Sequence, residues 1–320
     1  MFDGTRTGSR YAIFEICVAP SRKTLRNGDK MAEYVLHNDE IKIKINSHGA
    51  ELRSLTDCKS GREYMWCGDA KYWGRVSPVL FPLVGSYRDG QCSYNGKVLR
   101  MPQHGFARDM EFMLTEQTED EIWFCLTDKE NTWENYPFAF SLEIGYRLLG
   151  RSVKVMWRVS NPAEEEMYFS IGGHPAFAAP VREKDRITCY LAFDGVEKLK
   201  VRGLKGGLAV KELTELALEK DGILPVTEEV FAGDALVIEN SQTGQVQLLN
   251  EDKKPYLTVK FDAPLFGVWT PPGKNAPFIC IEPWYGRCDR EDFTGSLSER
   301  EWGNVLPAGQ TFEAAYDIVI

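Results

Sequence analysis

The sequence predicts an all-β protein, a large antiparallel β-sandwich with few short helices. Two observations carry this prediction. Apolar and polar residues alternate along many short segments, and Gly, Asn, Asp and Pro separate these segments. Alternation with period two places one face of a strand in a core, and the separating residues favour turns. At 320 residues, 43% of them hydrophobic and 27% charged, the chain is long enough to bury such a core.

The alternating segments follow one another along the chain. The clearest are residues 41–45, 142–148, 153–159, 257–261 and 312–318. The main turn signals between segments are Asp89-Gly90, Asn95-Gly96, Leu149-Gly150, Asp194-Gly195 and Pro271-Pro272-Gly273. The helical candidates are residues 208–220 and a short turn around residues 69–73, and neither has a convincing helical pattern. Many strands with few helices therefore favour one large sandwich.

The first thirty residues differ from the rest. Arg6 and Arg10 precede a short apolar stretch that resembles a signal peptide, but Glu15 interrupts it and no clear cleavage site follows. We expect residues 1–30 to be a poorly ordered N-terminal extension. A single β-sandwich domain is predicted over residues 31–320, because Met31 leads directly into strand-like sequence.

Composition excludes several classes of function. The net charge of −9 repels phosphate backbones, so no nucleic-acid partner is expected. No uncharged apolar stretch approaches the ~20 residues of a membrane-spanning helix, so no membrane partner is expected. The eight cysteines form no C-x-x-C pair, and several lie inside apolar runs. A reduced, cytoplasmic protein is therefore predicted.

Three residues stand out as candidates for chemistry. His104 and His174 are flanked by Gly or Pro, which constrain the backbone around each ring, whereas His37 and His48 lie in ordinary turns. Either of the first two, taken alone, also fits a histidine satisfied by hydrogen bonds in a core. Glu282 lies between an apolar strand and Pro283, where a carboxylate is costly to bury unless it is paired or used.

Other site chemistries fit the sequence less well. Two histidines and a glutamate are possible metal ligands, but they are far apart in sequence without a local pair, and no metal is predicted. The nucleophile elbow of Ser-His-Asp hydrolases and a phosphate-binding loop are both missing.

Four motifs resemble the aldose 1-epimerases, or galactose mutarotases, and most closely a bacterial branch often found beside lactose genes. They are SPVLFP at residues 77–82, QHGFAR at 103–108, GGHPAF at 172–177 and IEPWYG at 281–286. The resemblance covers the chain from about Met31 onward and implies a β-sandwich of large antiparallel sheets. It also implies an isomerase that needs no cofactor and interconverts the α and β anomers of a free sugar.

The resemblance also implies roles for individual residues. Glu282 is the general base that removes the proton of the C1 hydroxyl, and His174 is the general acid that protonates the ring oxygen. His104 hydrogen-bonds the sugar near the ring oxygen. Arg75 and Asp234 are expected to bind substrate, although a surface salt bridge fits each equally well.

Further contacts and the choice of sugar follow from the same resemblance. Trp284 and Phe177 are expected to offer an apolar face to the sugar, with the sandwich core as the alternative. Galactose-specific members carry an arginine at the point that corresponds to Gly85-Ser86, and this chain lacks it. A branch acting on hexose 6-phosphates needs cationic groups, for which Arg75, Arg108 and Arg287 are the candidates.

The predicted function is therefore a mutarotase for a free aldohexose. The alternatives are a hexose-6-phosphate mutarotase and a non-catalytic carbohydrate-binding protein on the same fold. A glycoside-processing enzyme ranks last because only one carboxylate stands out, whereas that chemistry uses two. The expected partner is a small-molecule monosaccharide, and the chain is expected to be a monomer or a homodimer.

Overall fold

The computed structural model describes residues 32–179, 181–183 and 186–320. The extension predicted over residues 1–30 lies outside the described residues, as does Met31. Helical structure in the described residues is limited to the α-helix α1 (Glu130–Trp133) and the 3-10 turns Arg88–Gly90, Ala107–Asp109, Lys220–Gly222 and Leu297–Glu299. None of the helices described here is long and apolar enough to cross a membrane.

Short strands make up most of the described chain. In chain order they are β1 (Glu33–His37), β2 (Ile41–Asn46), β3 (Glu51–Asp57), β4 (Val79–Leu80), β5 (Gln91–Tyr94), β6 (Lys97–Arg100), β7 (Met113–Gln117), β8 (Glu121–Thr127), β9 (Ser141–Leu149), β10 (Ser152–Ser160), β11 (Met167–Phe169), β12 (Ile171–Gly173), β13 (Ala176–Ala178), β14 (Val181–Glu183), β15 (Arg186–Ile187), β16 (Tyr190–Phe193), β17 (Lys198–Lys205), β18 (Leu208–Ala217), β19 (Ile223–Pro225), β20 (Leu236–Glu239), β21 (Gln245–Leu249), β22 (Pro255–Phe261), β23 (Leu265–Trp269), β24 (Phe278–Tyr285), β25 (Asn304–Leu306) and β26 (Thr311–Val319).

Two large antiparallel sheets dominate the fold. One has nine strands in the order β19-β16-β21-β22-β26-β10-β9-β8-β7, and the other runs β18-β17-β20-β23-β24-β12-β4 with β13 attached to β24. Smaller sheets are β1-β2-β3 and the pairs β5-β6, β11-β25 and β14-β15. The prediction of an all-β antiparallel sandwich is confirmed.

Alternating side chains of both large sheets form the core between them. On β10, Val153, Val155, Trp157 and Val159 are each at most 2% exposed, as the period-two pattern requires. Rings from the two sheets meet in this layer: Phe261 of β22 lies 5.1 Å from Phe266 of β23, measured between ring centroids.

Strand β24 is buried on both faces, and the face that points away from the main core carries Glu282. Ile279 and Ile281 point into the main core. Cys280 and Glu282 project from the opposite face of the sheet, because successive side chains of a strand alternate. Both are at most 1% exposed, so loops and neighbouring segments cover that second face as well.

The helical candidate over residues 208–220 is wrong. Leu208–Ala217 is strand β18, paired with β17 in an antiparallel hairpin. The turn consists of Gly206 and Gly207, whose φ values are +60° and +78°. Two positive φ angles in a two-residue loop are typical of a type I′ hairpin, so the glycine pair was the signal for a strand. The candidate around residues 69–73 is a hydrogen-bonded turn.

Candidate active site

Glu282 lies at the middle of the eight-stranded sheet, beside an indole that two glycines accommodate. It pairs with Gly267 on β23, and Trp284 pairs with Gly172 on β12. A Cβ at Gly267 would lie 2.5 Å from the Trp284 ring, and a Cβ at Gly172 would lie 2.6 Å from it. The missing side chains therefore let Trp284 lie flat on the sheet next to Glu282.

His174 follows β12 and is enclosed by two tryptophans. Its backbone N–H donates to the carbonyl of Pro78 at 3.1 Å. Trp73 stacks on the imidazole with ring centroids 4.7 Å apart, and Trp269 meets it edge-on at 5.5 Å. These contacts leave His174 7% exposed and hold its ring in one orientation.

Backbone hydrogen bonds hold His104 in place and determine which ring nitrogen carries the proton in its neutral form. The residue has φ +67°, and its N–H donates to the Gly85 carbonyl at 2.7 Å. The N–H of Gly85 donates to Nδ1 of His104 at 3.1 Å, so Nδ1 is an acceptor and the ring proton of the neutral form is on Nε2. Gly105 lies against the backbone of Phe81, since a Cβ there would come 2.2 Å from the Phe81 carbonyl oxygen.

The three candidate residues meet at one cavity. His174 Nε2 lies 3.3 Å from Glu282 Oε2, and the ring centroids of His104 and His174 are 5.6 Å apart. All three line a cavity of about 210 Å³, which we call the inner cavity. A larger cavity of about 620 Å³ shares Trp73 and Asp234 with its wall, so ligand-sized space continues outward.

Burial drives Glu282 and His174 toward their neutral forms. It raises the pKa of Glu282 well above its usual 4.5, and the nearby charge of Asp234 adds to this. The indole N–H of Trp284 opposes the increase without reaching hydrogen-bond geometry. Burial lowers the pKa of His174 from 6.5 to about 3, with smaller effects from Arg108 and Arg75. The pKa of His104 also falls well below 6.5 because of burial and of His174.

Two predicted substrate contacts lie at the inner cavity. Trp284 and Asp234 both line it. Asp234 has φ +86°, and its Oδ1 accepts from the N–H of Ala235 at 2.9 Å, so the turn fixes its carboxylate at the mouth.

The other two predicted substrate contacts, Phe177 and Arg75, do not line the inner cavity. Phe177 is fully buried in the main core, where β13 pairs it with Ile279. The three residues of β13 are too few to show from sequence which side chain faces the core. Arg75 is not among the described residues that line the inner cavity. It donates to Asp109 at 2.9 Å and acts on the histidines through its charge.

The other two arginines considered for phosphate binding differ from each other. Arg108 lines the inner cavity, and burial with the charge of Arg75 lowers its pKa to about 10. Arg287 is 1% exposed and its Nε pairs with Glu239 at 2.7 Å, in a network that Arg202 shares. Arg287 is therefore committed to a buried ion pair, and the charge available at the cavity is that of Arg108.

Sequence reasoning missed three residues of this region. Trp73 and Trp269 form the walls around His174. Cys280 lies behind the cavity wall, with its sulfur within 4.8 Å of ligand atoms of His174 and Glu282. The sequence signal for Cys280 was its position two residues before Glu282, because residues i and i+2 of a strand share a face.

Comparisons with known proteins agree on one family. The profile of the family described as aldose 1-epimerase matches residues 32–316. The plasmid and chromosomal LacX proteins of Lactococcus lactis subsp. lactis are each 31% identical over 300 residues, covering 89% of this chain and 98% of theirs. A solved galactose mutarotase related enzyme from Lactobacillus acidophilus is 32% identical with a TM-score of 0.85, covering 90% of this chain and 97% of its own. A galactose mutarotase-like protein from Lactobacillus casei is 26% identical with a TM-score of 0.84, covering 90% and 99%.

Proposed function

Since this chain belongs to the aldose 1-epimerase family, whose members act on sugars, we propose that it interconverts the α and β anomers of a free aldohexose without a cofactor. One observation carries the proposal: a carboxylate and two imidazoles, far apart in sequence, line one inner cavity. The 3.3 Å contact between Glu282 and His174 places a proton acceptor and a proton donor side by side. We keep the sequence-based expectation that the protein is cytoplasmic.

The reaction needs one proton to leave O1 as another arrives at the ring oxygen O5. Glu282 takes the proton of the C1 hydroxyl, the C1–O5 bond breaks as the C1 carbonyl forms, and His174 delivers its proton to O5. Rotation about C1–C2 exposes the other face of the carbonyl. Reclosure with the two proton transfers reversed gives the other anomer.

The electrostatics support this assignment of roles. Ring opening starts from the form of the pair in which the shared proton is on His174, and it converts a carboxylate and an imidazolium into a carboxylic acid and a neutral imidazole. These neutral forms are the ones that burial favours, as the raised pKa of Glu282 and the lowered pKa of His174 show. The pair works with one shared proton, so its titration belongs to both residues together. The ring-opening transfers therefore run toward the state that the low-polarity site prefers.

The remaining groups bind and orient the sugar. The Nε2–H of His104 donates a hydrogen bond to the oxygen on which charge develops, and the fixed ring needs no reorganisation. Asp234 accepts from sugar hydroxyls at the cavity mouth. Trp284 offers its flat face to the C–H groups of the pyranose.

NMR exchange spectroscopy with glucose and galactose tests the proposal. We expect enzyme-dependent exchange between anomers, and a loss of about 10²–10⁴-fold in kcat for Glu282→Gln and for His174→Asn. Glu111→Gln, at an exposed ion pair with His48, is the matched control and should keep its activity. Unchanged exchange in both cavity variants would reject these roles, and sugar binding without any exchange would favour the carbohydrate-binding alternative.

A hexose 6-phosphate is the second candidate substrate, and Arg108 is the observation that favours it. Its side chain is 14% exposed at the inner cavity, and its Nε lies 3.7 Å from Asp109 without a hydrogen bond to any described residue. Adding glucose 6-phosphate to the panel decides the question. Preference for the phosphorylated sugar, lost in Arg108→Gln, would identify that substrate class.

A further inference from the structure

Three side chains of different chemistry cluster beside the inner cavity. The ligand atoms of His174, Cys280 and Glu282 all lie within 4.8 Å of one another, and all three residues are buried. Cys280 and Glu282 project from the same face of β24, and His174 approaches from the end of β12. Imidazole nitrogen, thiolate sulfur and carboxylate oxygen are the donor atoms that zinc takes in proteins.

Several polar atoms of this cluster lack hydrogen-bond partners. Both carboxylate oxygens of Glu282 and Nδ1 of His174 are buried without a hydrogen bond from any described residue. The side chains are 1% and 9% exposed. Leaving such groups unsatisfied is costly, so a cation that binds the Glu282 carboxylate removes that cost for its oxygens.

From this arrangement we propose that His174, Cys280 and Glu282 bind a thiophilic divalent cation, with Zn²⁺ as the best fit, and that the bound cation blocks the acid–base pair. The cation takes Nε2 of His174, Sγ of Cys280 and one oxygen of Glu282. Water or a sugar hydroxyl completes a tetrahedral set. The site is inhibitory, because it occupies the two groups assigned to proton transfer.

The geometry needs little adjustment. Zinc bonds of about 2.0–2.3 Å place neighbouring ligand atoms of a tetrahedron roughly 3.5 Å apart. His174 Nε2 and Glu282 Oε2 are already 3.3 Å apart. The other separations, at most 4.8 Å, need to close by no more than about 1.3 Å, which side-chain rotations of Cys280 and Glu282 supply.

Charge balance favours a divalent cation. A thiolate, a carboxylate and a neutral imidazole give a neutral complex with Zn²⁺, and the displaced protons go to solvent. Burial keeps His174 in the neutral form that ligates, and it raises the pKa values of Cys280 and Glu282, so each anion alone is disfavoured until the cation compensates it. Asp234 adds attraction for the cation, whereas Arg108 opposes it.

Calorimetry with ZnCl₂ and ultraviolet titration with CdCl₂ test the site on the full chain. All proteins carry Cys17→Ser, Cys58→Ser and Cys67→Ser, because two of these thiols are exposed and Cys17 lies outside the described residues. The test variant is Cys280→Ala. Cys189→Ala, a buried cysteine of the main core, is the matched control. Thermal melts show whether each variant is folded, and Cys280→Ser serves if the alanine variant is not.

We expect one equivalent of Zn²⁺ to bind, a thiolate-to-cadmium band to appear, and EDTA to reverse both. Cys280→Ala should lose the band and at least about 100-fold in zinc affinity, since even outer partners of metal ligands change affinity by 10–100-fold. Cys189→Ala should keep both. No binding by the parent, or an unchanged band and affinity without Cys280, overturns the site.

Only the inhibition readout rests on the proposed function. Stoichiometric zinc should lower anomer exchange by about tenfold or more in the parent, whereas exchange by Cys280→Ala, measured against its own zinc-free rate, should resist zinc. Binding that leaves exchange unaffected overturns the inhibitory role. A parent without exchange activity refutes the mutarotase proposal, while calorimetry and the cadmium band still decide the metal site.

Discussion

Replacing Trp73 with alanine should bring the pKa of His174 closer to that of an exposed histidine. Trp73 stacks on the ring at a centroid distance of 4.7 Å, and burial is the largest cause of the low pKa of His174. Without the indole, water reaches one face of the imidazole, and its protonated form is solvated. The pKa of His174 should therefore rise.

The size of the expected pKa increase follows from how far burial lowers the pKa of His174. A pKa lowered from 6.5 to about 3 corresponds to roughly 5 kcal/mol of disfavoured protonation, at about 1.4 kcal/mol per unit. Trp73 covers one face, and the charges of Arg108 and Arg75 stay in place. We therefore expect an increase of at least about one unit, or about 1.4 kcal/mol.

The assay is the titration of imidazole ¹H and ¹³C shifts by NMR, with the His174 signal assigned by its loss in His174→Asn. Tyr72→Ala is the matched control, since Tyr72 belongs to the same loop but contacts Trp66 instead of His174. The acid limb of kcat/KM should move the same way, because a second proton on the pair removes the base. A wild-type midpoint near 6.5, or an unchanged pKa of His174 in Trp73→Ala, would refute this account.

Two further predictions concern the support beneath the site. Gly172→Ala places a Cβ 2.6 Å from the Trp284 ring, and urea denaturation should show a loss of about 1–3 kcal/mol in the free energy of unfolding from overpacking. Glu239→Gln removes the carboxylate that accepts from Arg202 at 2.6 Å and from Arg287 at 2.7 Å. Arg202 then loses its counter-charge, and Arg287 keeps only its pair with the more exposed Glu301. The same measurement should show a loss of about 3–5 kcal/mol.

Each of these variants has a control on the same chain. A Cβ at Gly233 would meet nothing within 4 Å, so Gly233→Ala should change the free energy of unfolding very little. Glu33→Gln breaks the exposed pair with Lys44 and should change the free energy of unfolding very little. If Gly172→Ala or Glu239→Gln is no less stable than its control, the packing or charge argument behind that variant is contradicted.

The fold was predictable from local pattern because burial on one face leaves a direct trace in sequence. The segment 153–159 alternates and is strand β10, and Asn95-Gly96 joins β5 to β6 with φ values of +47° and +76°. The candidate helix over residues 208–220 failed because its glycine pair was not interpreted as a hairpin turn. Its own residues are largely exposed on an edge strand, where the alternation is weak.

The site was predictable only in part, for physical reasons. Gly and Pro mark His104 and His174 because the backbone constraint that holds each ring is local. Trp73 and Trp269 leave no such mark, since their contact with His174 depends on how a loop meets strand β23. Arg75 has the same charge as Arg108, but the sequence does not show which of the two lines the inner cavity.

The hydrogen bond from the Gly85 N–H to His104 restricts the kind of atom that a bound molecule can present to this ring. With Nδ1 already occupied, the remaining nitrogen offers a hydrogen and no lone pair. An ether or carbonyl oxygen matches that hydrogen, whereas an ammonium centre at the same place brings two donors face to face. Inhibitors designed for this pocket should therefore keep an oxygen lone pair at that point and carry any cationic group toward Asp234.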